Sequence, residues 1–240
     1  ESIYREYVEY GKRLKKYIED VSAFIQKALN NKKKILFEGA HGTFLDAVYG
    51  TYPFTTAVYT ISGSVFPYVG IAPQKIFSLG IVKAYTTRVG NGPFPTELLD
   101  KTGEEIRTLG GEFGTVSKRP RRCGWLDLCL LRTATRLSGF DYLALTKLDV
   151  LSKLSMIKVC THYVYQNKKL TEVPASIHSF ELCKPVYKSF KGWQKNISNI
   201  RKFSELPKEA KAYIKFIEKS LNVPVRYVFV GPERKQTIEV

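Results

Sequence analysis

The sequence predicts an α/β fold, with a mostly parallel sheet, helices on both faces and small antiparallel insertions. Short apolar runs typical of buried strands recur along the chain, at residues 35–37, 76–85, 141–146 and 225–230. Stretches with the apolar spacing of amphipathic helices precede or separate these runs, at residues 3–29, 126–138 and 207–222. With 240 residues, 44% of them hydrophobic, the chain can bury a substantial core.

The N-terminal third begins with one long predicted helix. Apolar residues recur at three- and four-residue steps from Ile3 to Leu29, and a basic run at residues 30–34 suits a helix C-terminus. The apolar run 35–37 then predicts a buried strand. Residues 49–73 are dense in Gly, Pro, Thr and Ser and predict a long loop, and loops of that length are usually functional.

The rest of the chain predicts alternating strands and helices, with one irregular region. A strand at 76–85 leads into a loop of turn residues at 86–95, and a helix at 126–138 leads into a strand at 141–146. Scattered lysines, aromatics and prolines at 163–203 favour short antiparallel strands. Pro207 suits the first turn of a helix that runs to about Asn222, and 225–230 predicts a final strand.

Charge and cysteine content exclude several classes. There are 38 Lys and Arg against 22 Asp and Glu, a net charge of +16, which predicts attraction to an anionic partner. The four cysteines show neither zinc-site spacing nor the density of a disulfide scaffold, so we expect reduced thiols and no metal site. No apolar run approaches the roughly 18 residues of a membrane helix, and the G-x-x-x-x-G-K-[ST] phosphate loop is missing from the sequence.

The most concentrated charge lies at Lys118–Arg122, where four of five residues are cations. Arginine binds carboxylate or phosphate through two parallel hydrogen bonds, and the preceding residues 114–117 offer hydroxyls and backbone N–H groups to the same ligand. A compact anion is therefore one interpretation. A solvated basic run, or one resembling a nuclear-localisation signal, is an equally good one.

Two further stretches suit a ligand. Asp149 follows a predicted strand, where its carboxylate can accept the ring N–H and the amine of guanine while the stem of Lys147 covers the base. A surface ion pair is the commoner explanation of such a tetrapeptide. His41 lies in a glycine-rich turn and can bond a ligand, although a lone histidine is usually structural. His162 and His178 have no partners at metal-ligand spacing.

These stretches, taken in order, resemble the adenylosuccinate synthetase family. The residues that carry the resemblance form ordered blocks spanning nearly the whole chain, at 37–46, 50–53, Thr56, 82–97, 119–127, 145–149 and 231–234. The resemblance is to the C-terminal half alone, because the glycine-rich GDEGKGK phosphate loop of the family's N-terminal half has no counterpart here. We therefore expect a portion of a longer enzyme, inactive by itself.

The resemblance implies a P-loop-NTPase-like fold, incomplete without that N-terminal half, and a single domain to which residues 1–240 contribute the C-terminal portion. Residues 1–150 would supply the core with the IMP, aspartate and guanine segments, and residues 151–240 an antiparallel insertion, a helix and the final guanine-side strand. The implied enzyme is a cytoplasmic, homodimeric ligase of purine biosynthesis. GTP phosphorylates the 6-oxygen of IMP, L-aspartate displaces the phosphate to give adenylosuccinate, and Mg²⁺ is bound by the N-terminal half.

The resemblance also assigns roles to particular residues. The aspartate-binding loop would comprise Thr115, Val116, Ser117, Lys118, Arg119, Pro120 and Arg121. Within this loop Arg119 would also reach IMP and act in catalysis, and Arg121 would also reach GTP. Thr56 would bind the IMP phosphate. Guanine would be recognised by Lys147, Leu148, Asp149, Phe229, Val230 and Gly231.

Three positions depart from the family pattern. His41 stands where the family usually has a catalytic glutamine that bonds the base of IMP, so its protonation is expected to make activity more pH-sensitive. Lys118 replaces a common glycine, and Phe229 replaces a common serine. These changes bear on the geometry of the loop and on the fit of the nucleotide.

A second hypothesis is a non-catalytic basic module that binds polyanions such as RNA. The net charge of +16 supports it weakly. The sequence lacks the aromatic motifs of an RRM and the glycine signature of a KH domain, and its basic residues are dispersed through 153–219. We therefore expect no specific nucleic-acid partner.

Overall fold

The computed structural model describes residues 1–115 and 118–240. The chain forms two compact units, Glu1–Ala40 with Gly63–Lys75, and His41–Ser62 with Ile76–Val240. The first unit contains the helices α1 (Ser2–Leu14), α2 (Val21–Asn30) and α3 (Val65–Val69). Within the described ranges, no helix is both long and apolar enough to cross a membrane.

The prediction of one helix from Ile3 to Leu29 is wrong, because the chain breaks between α1 and α2. A 3₁₀ turn follows α1, Ile18 is extended with φ −86° and ψ 119°, and Asp20 caps α2 by accepting the N–H of Ala23 at 3.0 Å. An N-cap residue has non-helical backbone, so the helix cannot continue through it. The apolar spacing persists across this break and conceals it.

The strand predicted at residues 35–37 is also wrong. This segment has no regular structure, and the side chain of Leu36 is 92% exposed. A strand needs a neighbour to pair its backbone groups, and no strand in the part of the chain that the structure describes pairs with this run.

The second unit alternates strands and helices after a largely irregular segment at 41–62. Its elements in order are β1 (Leu79–Lys83), β2 (Thr86–Arg88), α4 (Lys101–Gly110), β3 (Arg122–Gly124), β4 (Leu126–Asp127), α5 (Leu128–Ser138), β5 (Tyr142–Thr146), β6 (Met156–Tyr165), β7 (Lys168–Leu170), α6 (Ile177–Glu181), β8 (Lys184–Lys191), α7 (Lys208–Leu221), β9 (Val225–Phe229) and β10 (Thr237–Glu239). The strands predicted at 76–85, 141–146 and 225–230 are confirmed as β1, β5 and β9, with bounds shifted by a few residues.

The central sheet has the order β1-β5-β9-β10 and is mostly parallel, which confirms the predicted α/β class. The strands β1, β5 and β9 run in one direction, with Lys83 opposite Thr146 and Leu145 opposite Val228, and β10 is antiparallel to β9. The carboxyl ends of β1, β5 and β9 therefore meet at one edge of the sheet, where α/β proteins place their ligands.

The antiparallel structure predicted at 163–203 is confirmed, but it begins earlier, at Met156. There β6 pairs antiparallel with both β7 and β8, and parallel with β4. Pro207 is the N-cap of α7 rather than part of its first turn. The buried Tyr213 of α7 donates its hydroxyl to the carbonyl of Ala84 at 2.6 Å, which holds α7 against the end of β1.

The helix α4 was not predicted from the sequence. Its N-cap is Asp100, whose carboxylate accepts the N–H of Gly103 at 3.1 Å, and its C-cap is Gly111, in the left-handed conformation with φ +59°. Both are ordinary helix boundary signals. The glycines within α4 weaken its helical pattern in the sequence. The position of α4 matters for the site, because Glu112 directly follows its C-cap.

Candidate functional site

A buried carboxylate, Glu112, lies at the carboxyl edge of the central sheet, within the unit that contains β1. Both of its oxygens accept from Nζ of Lys83 at 2.8 Å. Oε1 also accepts the hydroxyl of Tyr85 at 2.7 Å, and Oε2 accepts from a terminal nitrogen of Arg121 at 2.9 Å. We call these four residues the Glu112 cluster.

The electrostatics of the Glu112 cluster favour an ionised carboxylate. Burial raises the pKa of Glu112, but hydrogen bonds from Lys83 and Tyr85 outweigh that effect and leave the pKa below its ordinary value. Burial also lowers the pKa of Lys83, and its contact with Glu112 opposes that change. Burial, followed by the hydrogen bond to Glu112, raises the pKa of Tyr85, so its phenol stays protonated and remains a donor.

The basic loop between α4 and β3 is a narrow backbone hairpin. Gly114 donates to the carbonyl of Arg119 at 2.9 Å, and Arg121 donates its backbone N–H to Glu112 at 2.8 Å. Nε of Arg107 donates to the carbonyl of Arg121 at 3.0 Å. These bonds hold the two arms of the hairpin together, and the described residues near its tip are exposed.

The predicted aspartate-binding residues are placed along this hairpin. Those at the exposed tip are Thr115, Lys118, Arg119 and Pro120, whereas Arg121 is half-buried in the Glu112 cluster. The predicted residues Val116 and Ser117 lie outside the described part of the chain. Lys118 has φ +53°, the conformation that glycine adopts most easily, so the departure from the family's glycine falls on a strained backbone.

Two arginines outside the predicted site join the basic loop to the segment that contains Thr56. Arg122 makes a two-pronged bond to Glu97, at 2.7 and 2.5 Å, and its strand partner is Arg88. Arg88 donates to Oγ1 of Thr51 at 2.8 Å. Arg122, the fourth cation of the basic run, is therefore paired with a carboxylate of the chain itself.

The segment 41–62 is organised by Asp46, which is fully buried. Its Oδ1 accepts the N–H groups of Val48 and Tyr49 at 2.9 Å, and Oδ2 accepts that of Thr60 at 2.6 Å. Burial opposes ionisation, but these backbone bonds hold the pKa of Asp46 below its ordinary value. A charged cap of this kind fixes a loop that has little regular structure.

Two of the three predicted IMP residues, His41 and Thr56, lie in that segment, and the third, Arg119, lies in the hairpin loop. Thr56 is half-buried, and its hydroxyl donates to the carbonyl of Leu45 at 2.7 Å. His41 is exposed and has φ +67°, which is uncommon for a residue other than glycine. The backbone turn at His41 presents its ring at the surface of the unit.

The predicted guanine residues come together at the carboxyl edge of the sheet. Residues 147–149 follow β5. In the neighbouring parallel strand β9, Phe229 is the last residue, and Val230 and Gly231 follow it. Lys147 has φ +62° and donates Nζ to the carbonyl of Gly110 at 2.7 Å, and Leu148 is buried. Asp149 is half-buried, and burial raises the pKa of its carboxyl group.

The Glu112 cluster was not predicted from the sequence. Lys83 and Tyr85 lay within a recognised block but received no role, and Glu112 received none either. The available signal was an isolated carboxylate nine positions before Arg121 and next to a dense basic run. An acid so placed commonly pairs with one of those cations.

The structure also brings together a buried cluster that sequence spacing did not predict. Ligand atoms of Asp127, Cys129 and Cys160 lie within 4.8 Å of one another. Oδ1 of Asp127 accepts the backbone N–H groups at the start of α5, and Oδ2 accepts the hydroxyl of Tyr163 at 2.5 Å. Burial raises the pKa of Asp127 to about 6. The carboxylate therefore serves as a helix cap within a thiol-lined core.

A parallel sheet whose carboxyl edge bears several cations characterises α/β proteins that bind anionic ligands such as nucleotides. The sequence model of the adenylosuccinate synthetase family matches residues 1–238, so this chain belongs to that family. It is 50% identical over 237 residues to adenylosuccinate synthetase from Thermodesulfovibrio yellowstonii and 48% identical over 239 residues to that from Trichlorobacter lovleyi.

A solved structure of fully ligated adenylosuccinate synthetase from Plasmodium falciparum superposes with a TM-score of 0.95 at 41% identity. That comparison covers 98% of this chain and 57% of the Plasmodium chain. The two bacterial relatives are matched over 98% and 99% of this chain and 56% of their own lengths. The chain therefore spans a little over half the length of its relatives.

Proposed function

We propose that the protein to which this chain belongs is a GTP-dependent ligase that joins L-aspartate to IMP through 6-phosphoryl-IMP. The products are adenylosuccinate, GDP and phosphate, in AMP biosynthesis. The observation that carries the proposal is an identity of 48–50% to adenylosuccinate synthetases over nearly the whole chain. The cationic carboxyl edge of the sheet supports it, because every proposed substrate is an anion.

Aspartate binding is proposed for the hairpin loop. Its substrate carries two carboxylates and must approach a nucleotide that is already anionic, so cations are needed on both sides of the attacking amine. Arg119 at the exposed tip is proposed to contact aspartate and IMP, and Arg121 is proposed to extend from aspartate to the GTP side. Thr115, Val116, Ser117, Lys118 and Pro120 complete the proposed loop.

IMP binding is proposed for the loop capped by Asp46. Thr56 would donate its hydroxyl to the IMP phosphate after exchanging the carbonyl of Leu45 for the ligand. The ring of His41 would hydrogen-bond the base near its 6-oxygen. There it would support phosphoryl transfer by stabilising charge, without forming a covalent bond. Arg119 supplies positive charge to the same reacting group.

Guanine recognition is proposed for the ends of β5 and β9. The carboxylate of Asp149 accepts two N–H donors of the base, and the stem of Lys147 covers one face. Leu148 anchors this segment in the core. The backbone of Phe229, Val230 and Gly231 forms the neighbouring wall.

The family implies Mg²⁺, but the residues described here do not form a suitable site for it. The group of potential metal ligands consists of Asp127, Cys129 and Cys160, and buried thiols do not suit a cation that prefers oxygen ligands and water. We therefore place the Mg²⁺ ligands in the N-terminal half of the family. A homodimeric assembly and a cytoplasmic location are part of the same proposal.

The test uses the complete protein with IMP, GTP and L-aspartate, and measures adenylosuccinate by chromatography. We expect product formation that requires all three substrates. Replacement of GTP by ATP is expected to abolish most of the activity, since adenine lacks the two donors that Asp149 accepts. Absence of product would refute the proposed reaction, and equal rates with ATP would refute the role of Asp149.

A further inference from the structure

We propose that Glu112 is a positioning residue that holds the guanidinium of Arg121 in its ligand-binding orientation. The inference rests on the proposed function, in which Arg121 contacts aspartate and GTP. Glu112 itself is fully buried, so it acts through Arg121 rather than by touching a substrate.

The backbone of Arg121 is fixed before its side chain is considered. Its N–H donates to the carbonyl of Glu112 at 2.8 Å, and its carbonyl accepts from Arg107 at 3.0 Å. Among the residues that the structure describes, its side chain makes one ion pair, at 2.9 Å to Oε2 of Glu112. The side chain remains 30% exposed, so an anion from solution can reach part of it.

An unsatisfied donor shows which interaction sets this orientation. Among the described residues, Nε of Arg121 is buried without a hydrogen-bond partner. Leaving a buried donor unpaired costs free energy, so a freely rotating side chain would turn to satisfy it. The contact with Glu112 outweighs that cost and holds the guanidinium in place.

Lys83 keeps the cluster positively charged. One carboxylate serves two cations, and Lys83 contacts both of its oxygens at 2.8 Å while also donating to Oγ1 of Thr87 at 2.8 Å. The negative charge of Glu112 is thus shared, and Arg121 is not neutralised. The guanidinium is therefore both fixed and positively charged. Its conformational entropy is already lost before an anion binds, so binding does not carry that cost.

The decisive variant is Glu112→Gln in the complete protein, which keeps the side-chain shape and removes the charge. We expect KM for L-aspartate to rise at least about tenfold, while KM for IMP changes less than about twofold. The matched control is Thr87→Val, which removes the other hydrogen-bond partner of Lys83 and leaves Glu112 paired. An unchanged KM for aspartate, or an equal loss for both substrates with a lower melting temperature, would show a merely structural role.

A second measurement needs no substrate. Trypsin cleaves after Arg121 only when that side chain enters the protease, and Pro120 blocks cleavage after Arg119. We expect Glu112→Gln to accelerate cleavage after Arg121 at least about tenfold relative to cleavage after the exposed Lys118, as read by mass spectrometry. An unchanged ratio would overturn the positioning role. If the wild-type protein makes no adenylosuccinate, the proposed function fails while this ratio still decides the inference.

Discussion

Replacing Asp149 by asparagine tests the base specificity of the proposed GTP site. The carboxylate follows β5 at the carboxyl edge of the sheet and is proposed to accept two N–H groups of guanine. Asparagine accepts one of them and opposes the other with its own amide hydrogens. A hydrogen bond to a charged group contributes about 1.5–3 kcal/mol, so we expect a loss of about 3 kcal/mol, or roughly 150-fold in KM for GTP.

The same geometry predicts which nucleotide the variant accepts. Xanthine presents one N–H donor and one carbonyl in place of the two donors of guanine, which matches the carbonyl and amide of asparagine. Steady-state kinetics with GTP and xanthosine triphosphate should therefore show a reversal of preference. Asp141→Asn is the matched control, because Asp141 precedes the opposite end of β5, where Oδ2 accepts the N–H of Ser78 at 2.7 Å.

The pH dependence supplies a further check on Asp149. Burial raises the pKa of its carboxyl group, and the ionised form is the one that accepts both donors. As pH falls, the wild-type KM for GTP should therefore rise at a higher pH than an ordinary carboxyl group would produce, and the asparagine variant should not show this rise. A variant with a KM for GTP within about twofold of wild type would refute the proposed contact.

Three other changes have defined outcomes. The folded pKa of Asp127, about 6 against 3.8 for a free side chain, makes its contribution to stability fall as pH rises from about 4 to 6. Tyr163→Phe should lower the free energy of unfolding by about 1.5–3 kcal/mol above pH 7 and less at pH 5, and equal losses in denaturant titrations would contradict this. Gly50→Ala should raise KM for IMP, because the added Cβ would clash with the carbonyl oxygen of Asp46 in the proposed IMP loop, and an unchanged KM and melting temperature would contradict it. Arg119→Ala should reduce kcat/KM at least about tenfold, and wild-type turnover would remove it from the site.

The fold was predictable where burial dominates. The runs that became β5 and β9 are buried between other elements, and their apolar character identifies such strands. The same criterion failed at residues 35–37, because hydrophobicity reports a tendency to be buried and not the presence of a pairing strand. The prediction of one long N-terminal helix was wrong for a different reason. The apolar spacing continues through the break, and Asp20, the N-cap of α2, is the sequence signal that marks it.

The site was predictable where its residues are contiguous. The hairpin loop and the segment after β5 each form a short motif, so the resemblance could assign roles to them, and those roles remain predictions. The Glu112 cluster is assembled from the end of β1, the residue Tyr85 just after it and both arms of the hairpin, and its buried acid belongs to no motif. Long-range pairing of this kind depends on sheet register, which single-sequence patterns do not specify.

The end of α4 has a consequence for how the two halves of the site can move. The carbonyl of Gly110 accepts a hydrogen bond from Nζ of Lys147, beside the proposed guanine contact. Two positions later, the carboxylate of Glu112 binds the side chain of Arg121. Only Gly111 separates these anchors. Because the connection is so short, the segment at Lys147 and the hairpin at Arg121 cannot be displaced independently, and a shift of one must strain or carry the other.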